Sequence, residues 1–291
     1  MMKARRYVLD EYADHQLYKE LAAREKDSGN KEALIKLAAH EYDHYLFWRK
    51  FAPGYQPVLS PFFLAGFRFM RRFCGLTFTV KFLERHEHAT IQEYKGVLAG
   101  LSGEDKARLE KIIADENEHE KFFVGQIRET VIKYIGFVAL GLADAIVEIT
   151  GVHAGFLGVT NSTLFAGVSG LIVGISASIS MGSAAYLQAK QDPHRSAWKS
   201  AVITGVSYIL SVIMLAVPYF LTHNMSCAFT FSILVGVTLI AFLTFYSAVV
   251  FDRRFWREFV ETVGLMLATA AVTFVLGVFL GNAFGLQHIM S

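Results

Sequence analysis

Apolar positions fall into two patterns along the chain. Up to about residue 130 they recur at helical spacing among charged residues; from Ile135 onward they run together. Five of these runs have roughly the ~20 residues that a helix needs to cross a bilayer, at about 135–158, 164–186, 200–221, 227–250 and 262–284. In the first part the periodicity predicts four helices at about 5–28, 31–51, 77–100 and 104–130, the last continuing toward the first apolar run. A long link separates the second and third. It holds Pro53, Pro57 and Pro61, then an amphipathic, basic stretch from Phe62 through Arg68, Arg71 and Arg72 to Phe73. Its length suits a crossover along a bundle, and its composition suits contact with lipid headgroups. The expected fold is all-α: a cytoplasmic four-helix bundle over residues 1–130, then a five-span transmembrane domain over 131–291.

Composition sharpens the division. Residues 1–130 hold 20 of the 26 Asp and Glu and six of the ten His, while 131–291 hold only six acids. The first part is built for water and the second for lipid. A formal charge of +2, mixed in sign, gives no footprint for nucleic acid. Cys74 and Cys227 make no CxxC or Cys/His pattern, so neither a zinc knuckle nor a disulfide framework is expected. The start, Met1-Met2-Lys3-Ala4-Arg5-Arg6, has no apolar signal-peptide core.

Loop charges set the expected orientation. Lys190, His194, Arg195 and Lys199 lie between spans two and three, and Arg253, Arg254 and Arg257 between spans four and five, whereas the loops after spans one and three carry no Lys or Arg. The bias toward basic cytoplasmic loops puts the N-terminus inside and the C-terminus outside. Within span one, Asp144 and Glu148 stand one helical turn apart at mid-bilayer depth. A carboxylate there costs about 2.5–3.5 kcal/mol on insertion scales, so such residues line polar pathways. His153 falls on another face of the same span. In span two, Gly170, Gly174, Ser178 and Gly182 form a small-residue stripe that lets helices approach closely. By itself Met181, beside that stripe, reads as an apolar filler, although a thioether can bind soft ions.

The soluble part repeats a set of metal-ligand types. Glu11 with Tyr18 seven residues on is followed by Glu41-Tyr42-Asp43-His44; Glu87 with Tyr94 is followed by Glu116-Asn117-Glu118-His119. Each lone Glu precedes its Glu-x-x-His by 30 residues in one half and 29 in the other. One Glu from each of two helices and a Glu-x-x-His from each of two others supply hard carboxylates and imidazoles for two divalent ions. Glu and His three apart share a helix face and can reach one ion. Glu84, one turn before Glu87, is a candidate additional ligand. The tyrosines read as packing and hydrogen-bonding partners of the ligands.

With these residues in hand, the first part resembles the ferritin-like proteins of the rubrerythrin type, including Gly75-Leu76-Thr77-Phe78 leading into Leu83-Glu84-Arg85-His86-Glu87. The second part resembles the vacuolar iron transporter family through Gly141-Leu142-Ala143-Asp144 and through Ile179-Ser180-Met181-Gly182-Ser183-Ala184-Ala185-Tyr186-Leu187-Gln188-Ala189-Lys190. Together they resemble membrane-bound ferritin fusion proteins. The resemblance implies a homodimer with five spans per chain in the cell membrane, Fe2+ or Mn2+ as substrate, proton exchange, and transport roles for Asp144 and Met181. Plant and yeast-type members place an acid early in span two, where this chain has apolar and small residues around Val173; Glu148 is the candidate replacement. The expected function is export of ferrous or manganous ions, captured by Glu11, Glu41, His44, Glu84, Glu87, Glu116 and His119 and passed along Asp144, Glu148 and Met181. The rival expectation is a membrane-tethered di-iron ferroxidase or peroxide reductase. Glu/His donors serve both iron and manganese, so ligand type does not choose between them.

Overall fold

The computed structural model describes residues 2–85, 87–118 and 130–285, and those residues form only helices and their connections. The chain divides into two compact units, residues 1–130 and 131–291.

The N-terminal unit begins with a helical hairpin, α1 (Met2–Arg24) and α2 (Ser28–Arg49). Asp27 caps α2 by accepting from the Asn30 N–H at 2.9 Å, which offsets one of the donors that a helix start leaves unpaired. The proline-rich link then yields α3 (Pro61–Cys74), with Ser60 as N-cap and Pro61 in the first turn. Gly75 ends α3 and starts α4 (Leu76–Glu84) at a φ of 89°. Any residue with a Cβ would be strained in that left-handed corner.

The single third helix expected at 77–100 is two helices, α4 and α5 (Glu87–Leu98). α4 ends at Glu84 with Arg85 as its C-cap, and His86 lies outside the described residues. α6 (Gly103–Glu118) follows. Residues 119–129, expected to prolong it, lie outside the described residues.

Two apolar clusters build this unit. One joins Leu17, Tyr18 and Leu21 of α1 to Leu34 and Leu37 of α2 and Leu76 and Val80 of α4. The other joins Tyr7 and Val8 to Tyr45, Phe47 and Trp48, Ile91 and Tyr94, and Leu109 and Ile112. Along α1, Glu11 lies between the segments that feed the two clusters; along α2, Glu41 and His44 hold the same place. The polar ligands are therefore a layer between two apolar ones.

The second unit holds five helices long and apolar enough to cross a membrane: α7 (Thr130–Val159), α8 (Thr163–Ala189), α9 (Ala197–Leu221), α10 (Met225–Phe251) and α11 (Phe255–Phe284). Ser162, Ser196 and Asn224 cap α8, α9 and α10. α11 starts at Phe255, well before the apolar run expected from 262, because its first turns are amphipathic and carry an Arg253–Glu258 ion pair at 3.1 Å. The small-residue stripe of α8 is buried, as expected for packing: a methyl group at Gly174 would come within 2.4 Å of Val212 on α9. α7 and α11 meet as closely, since a methyl group at Gly277 would lie 2.2 Å from the Gly155 carbonyl oxygen.

Candidate metal centre

Glu11 on α1, Glu41 and His44 on α2, and Glu116 on α6 are all buried. Each offers one ligand atom such that all four atoms lie within 4.8 Å of one another. The imidazole is at the middle. His44 Nδ1 lies 2.9 Å from Glu116, 3.5 Å from Glu41 and 3.6 Å from Glu11, while Nε2 faces Asp115 at 3.9 Å. Glu41 and His44, three apart, reach the cluster from one face of α2. The Tyr94 hydroxyl of α5 donates to Glu11. Its counterpart Tyr18 donates to Glu84 Oε1 at 2.5 Å. Thus each tyrosine serves a carboxylate in the other half of the unit, and the acid paired with Tyr18 is Glu84, just before the break in the third stretch. Glu84 is buried on α4. The Glu87 side chain and His119 lie outside the described residues.

Electrostatics follow from crowding in a dry layer. Burial pushes the Glu11 carboxyl up to about 8, against the opposing pull of His44. Burial also holds Asp14 well above the usual carboxylate range, reinforced by Glu41, Glu11, Glu116 and Glu84. For His44, burial works downward, but Asp115, Glu11, Glu116 and Glu41 together hold its imidazole well above the ordinary value. The Asp115 carboxyl, facing His44, is lowered. The carboxylates thus favour positive charge at the centre of the cluster, whether carried by a proton or by a metal ion.

Asp14 and Asp115 were not legible as site residues. The signals were present: Asp14 follows Glu11 by three and Asp115 adjoins Glu116. A cleft of about 570 Å³, lined by Asp10, Asp14 and Glu93 with Arg6, reaches Glu11, Glu41 and Glu116. Arg6 pairs with Glu93 in its wall. An acidic funnel of this kind concentrates cations at its mouth. Three carboxylates and an imidazole form a hard-to-borderline donor set, which fits a divalent transition-metal ion.

In the second unit, Asp144 and Glu148 are half-buried on α7. The Tyr208 hydroxyl of α9 donates to Glu148. Met181 of α8 is half-buried and packs on the core formed by Ala145, Ile146, Ile149 and Tyr208. Tyr208 was missed by the sequence reading, since a tyrosine in an apolar span reads as ordinary packing. His153 is fully buried, its ring centroid 4.1 Å from that of Tyr219.

Residues 188–278 match the model of the VIT family. This VIT-family segment runs from the end of α8 through α9 and α10 into α11, and it overlaps the α8 motif only at Gln188-Ala189-Lys190. It does not reach α7 or the N-terminal unit. No curated protein and no solved structure matches the chain. A VIT-family segment together with five membrane-capable helices makes the chain a multi-pass membrane protein and points to transport of metal ions across that membrane.

Proposed function

We propose that the chain exports Fe2+ or Mn2+ from the cytoplasm in exchange for protons, after capture by a ferritin-like di-metal domain of the rubrerythrin type over residues 1–130. The observation that carries this reading is the buried Glu11, Glu41, His44 and Glu116 cluster on a chain whose residues 188–278 match the VIT family. Glu84, Glu87 and His119 are the remaining ligands of the two-metal site in this reading. Asp144, Glu148 and Met181 line the transport path of a homodimer in the cell membrane, with N-termini in the cytoplasm and C-termini outside.

Donor chemistry supports the proton exchange in this reading. A carboxylate in a low-dielectric setting binds either a proton or a metal ion, and competition between them couples the two gradients. The Tyr208 hydrogen bond supports Glu148 as a working acid, because it orients one oxygen and leaves the carboxylate free of a fixed counter-charge. An anchor for a tethered oxidase would gain nothing from such acids.

The test is uptake of Fe2+ and Mn2+ into inside-out proteoliposomes under an imposed pH gradient, for the wild type and Asp144→Asn. Gradient-driven uptake lost in the variant is the expected result. No uptake of either ion by the wild type under any gradient would sink the proposal and leave the tethered di-iron enzyme in front.

A further inference from the structure

Buried hydroxyls in the membrane unit generally satisfy themselves on carbonyl oxygens. Ser178 donates to Ile175 at 2.7 Å, Ser211 to Ser207 at 2.9 Å, Ser232 to Leu215 at 2.9 Å and Thr244 to Ile240 at 2.7 Å. Among the described residues of this unit, the exceptions stand on α7 and α9: Thr150 Oγ1, both ring nitrogens of His153, and the Tyr219 hydroxyl are buried without a hydrogen-bond partner. Thr150 and His153 share a face of α7. The His153 ring lies against Tyr219 of α9. Beside the Tyr219 hydroxyl is Ser232, whose own proton is committed to Leu215.

Leaving buried polar atoms unpaired opposes folding, and an aliphatic side chain would pack the same space without that penalty. Yet the slot is shaped for the imidazole. A methyl group on Gly170 of α8 would come within 2.4 Å of His153 Nε2, so the glycine makes room for the ring. Sterics on two sides hold the ring, and its nitrogens remain uncommitted. At 1.5 Å per residue, His153 lies about 7.5 Å beyond Glu148 along α7. It stands on another face of the helix from the Asp144 and Glu148 pair.

We infer that His153, with Thr150 and the Tyr219 hydroxyl, is a second ion-binding station of the membrane unit, taking a divalent transition-metal ion through an imidazole nitrogen. The inference rests on the transport function proposed above and adds its selectivity. Carboxylates discriminate poorly between Mn2+ and Fe2+, whereas an imidazole nitrogen favours Fe2+.

The full chain in proteoliposomes provides the test, with Fe2+ and Mn2+ uptake measured in competition. For His153→Gln and His153→Asn, the Fe2+ over Mn2+ preference should fall about tenfold, the scale on which metal-site partners act, while Asp144→Asn loses both fluxes. Variants that elute as folded protein and keep the wild-type preference overturn the inference and leave transport standing. A shifted pH profile at unchanged preference puts a proton on the ring instead, and likewise overturns ion binding there. Should neither His153 variant fold, Gly170→Ala keeps the imidazole and presses on Nε2, so an unchanged preference in that variant is the overturning result. Absence of any wild-type flux defeats the transport proposal and this inference with it.

Discussion

Metal binding to the N-terminal cluster must expel protons, and the structure sets how many. Glu11 is pushed up to about 8 and His44 is held well above its ordinary value, so both are protonated at neutral pH without metal. His44 Nδ1, surrounded by Glu116, Glu41 and Glu11, is the nitrogen an ion would take. Each displaced proton makes the apparent Kd change tenfold per pH unit below the group's pKa, so two protons give about a hundredfold tighter binding from about pH 6 to about pH 7. The sign is fixed: raising the pH strengthens binding. Glu11→Gln removes one of the two protons, so the dependence should drop to about tenfold per unit. Calorimetric Mn2+ titration of the full chain in detergent, carrying Asp144→Asn and repeated in two buffers of different ionisation heat, counts the protons directly. An apparent Kd equal at both pH values, with no proton release, would refute the reasoning. Linkage gives a companion sign. Without metal, the native state holds the Glu11 proton above 4.5 while the unfolded chain does not, so that part of the stability is lost as pH rises through about 8.

Tyr94→Phe removes the donor to Glu11 and should weaken Mn2+ binding about tenfold in the same titration, with folding retained. Leu37→Ala deletes a fully buried side chain from the apolar layer on one side of the ligands; it should lower the unfolding free energy by about 2–5 kcal/mol in denaturant titration followed by circular dichroism. Gly277→Leu places side-chain atoms where Gly155 already stands, whereas Gly264 has open space around it. Thermal inactivation in detergent should therefore show a lower midpoint for Gly277→Leu and none for Gly264→Leu; equal midpoints would mean that α7 and α11 do not pack through these glycines.

The spans were legible because lipid tolerates only long apolar helices, a signal that survives without tertiary information. What misled was charge at a helix start: Trp256, Arg257 and Glu258 hid the first turns of α11, though they are stabilised by the Arg253 pairing. In the N-terminal unit, Glu11, Glu41, His44 and Glu116 could be picked out by repeated spacing, and the structure gathers them within 4.8 Å. The partner of Tyr18 could not. Spacing matched Glu87 to Glu11, but Tyr18 meets Glu84, at the end of α4. Asp14 and Asp115 escaped for a different reason: an acid on an acidic helix reads as solvated until the neighbouring helices bury it.

Three of the acids assigned here to metal capture or transport share one device. Glu11 takes a hydrogen bond from Tyr94, Glu84 from Tyr18 and Glu148 from Tyr208, in every case from a different helix. The choice of phenol over a cation has a physical consequence. An Arg or Lys beside a buried carboxylate would neutralise it permanently and repel an arriving metal ion. A phenol donates one hydrogen bond, offsets part of the desolvation, fixes the rotamer and brings no net charge. The phenol adds no charge of its own, so a proton or a metal ion can still occupy the carboxylate. Arg6 and Arg108, the arginines that do meet acids near this region, pair with Glu93 and Asp43, outside the cluster of four. Fixed cations hold the rim and neutral donors hold the acids of the cluster, an arrangement that suits the proposed exchange of a proton and a metal ion on one carboxylate.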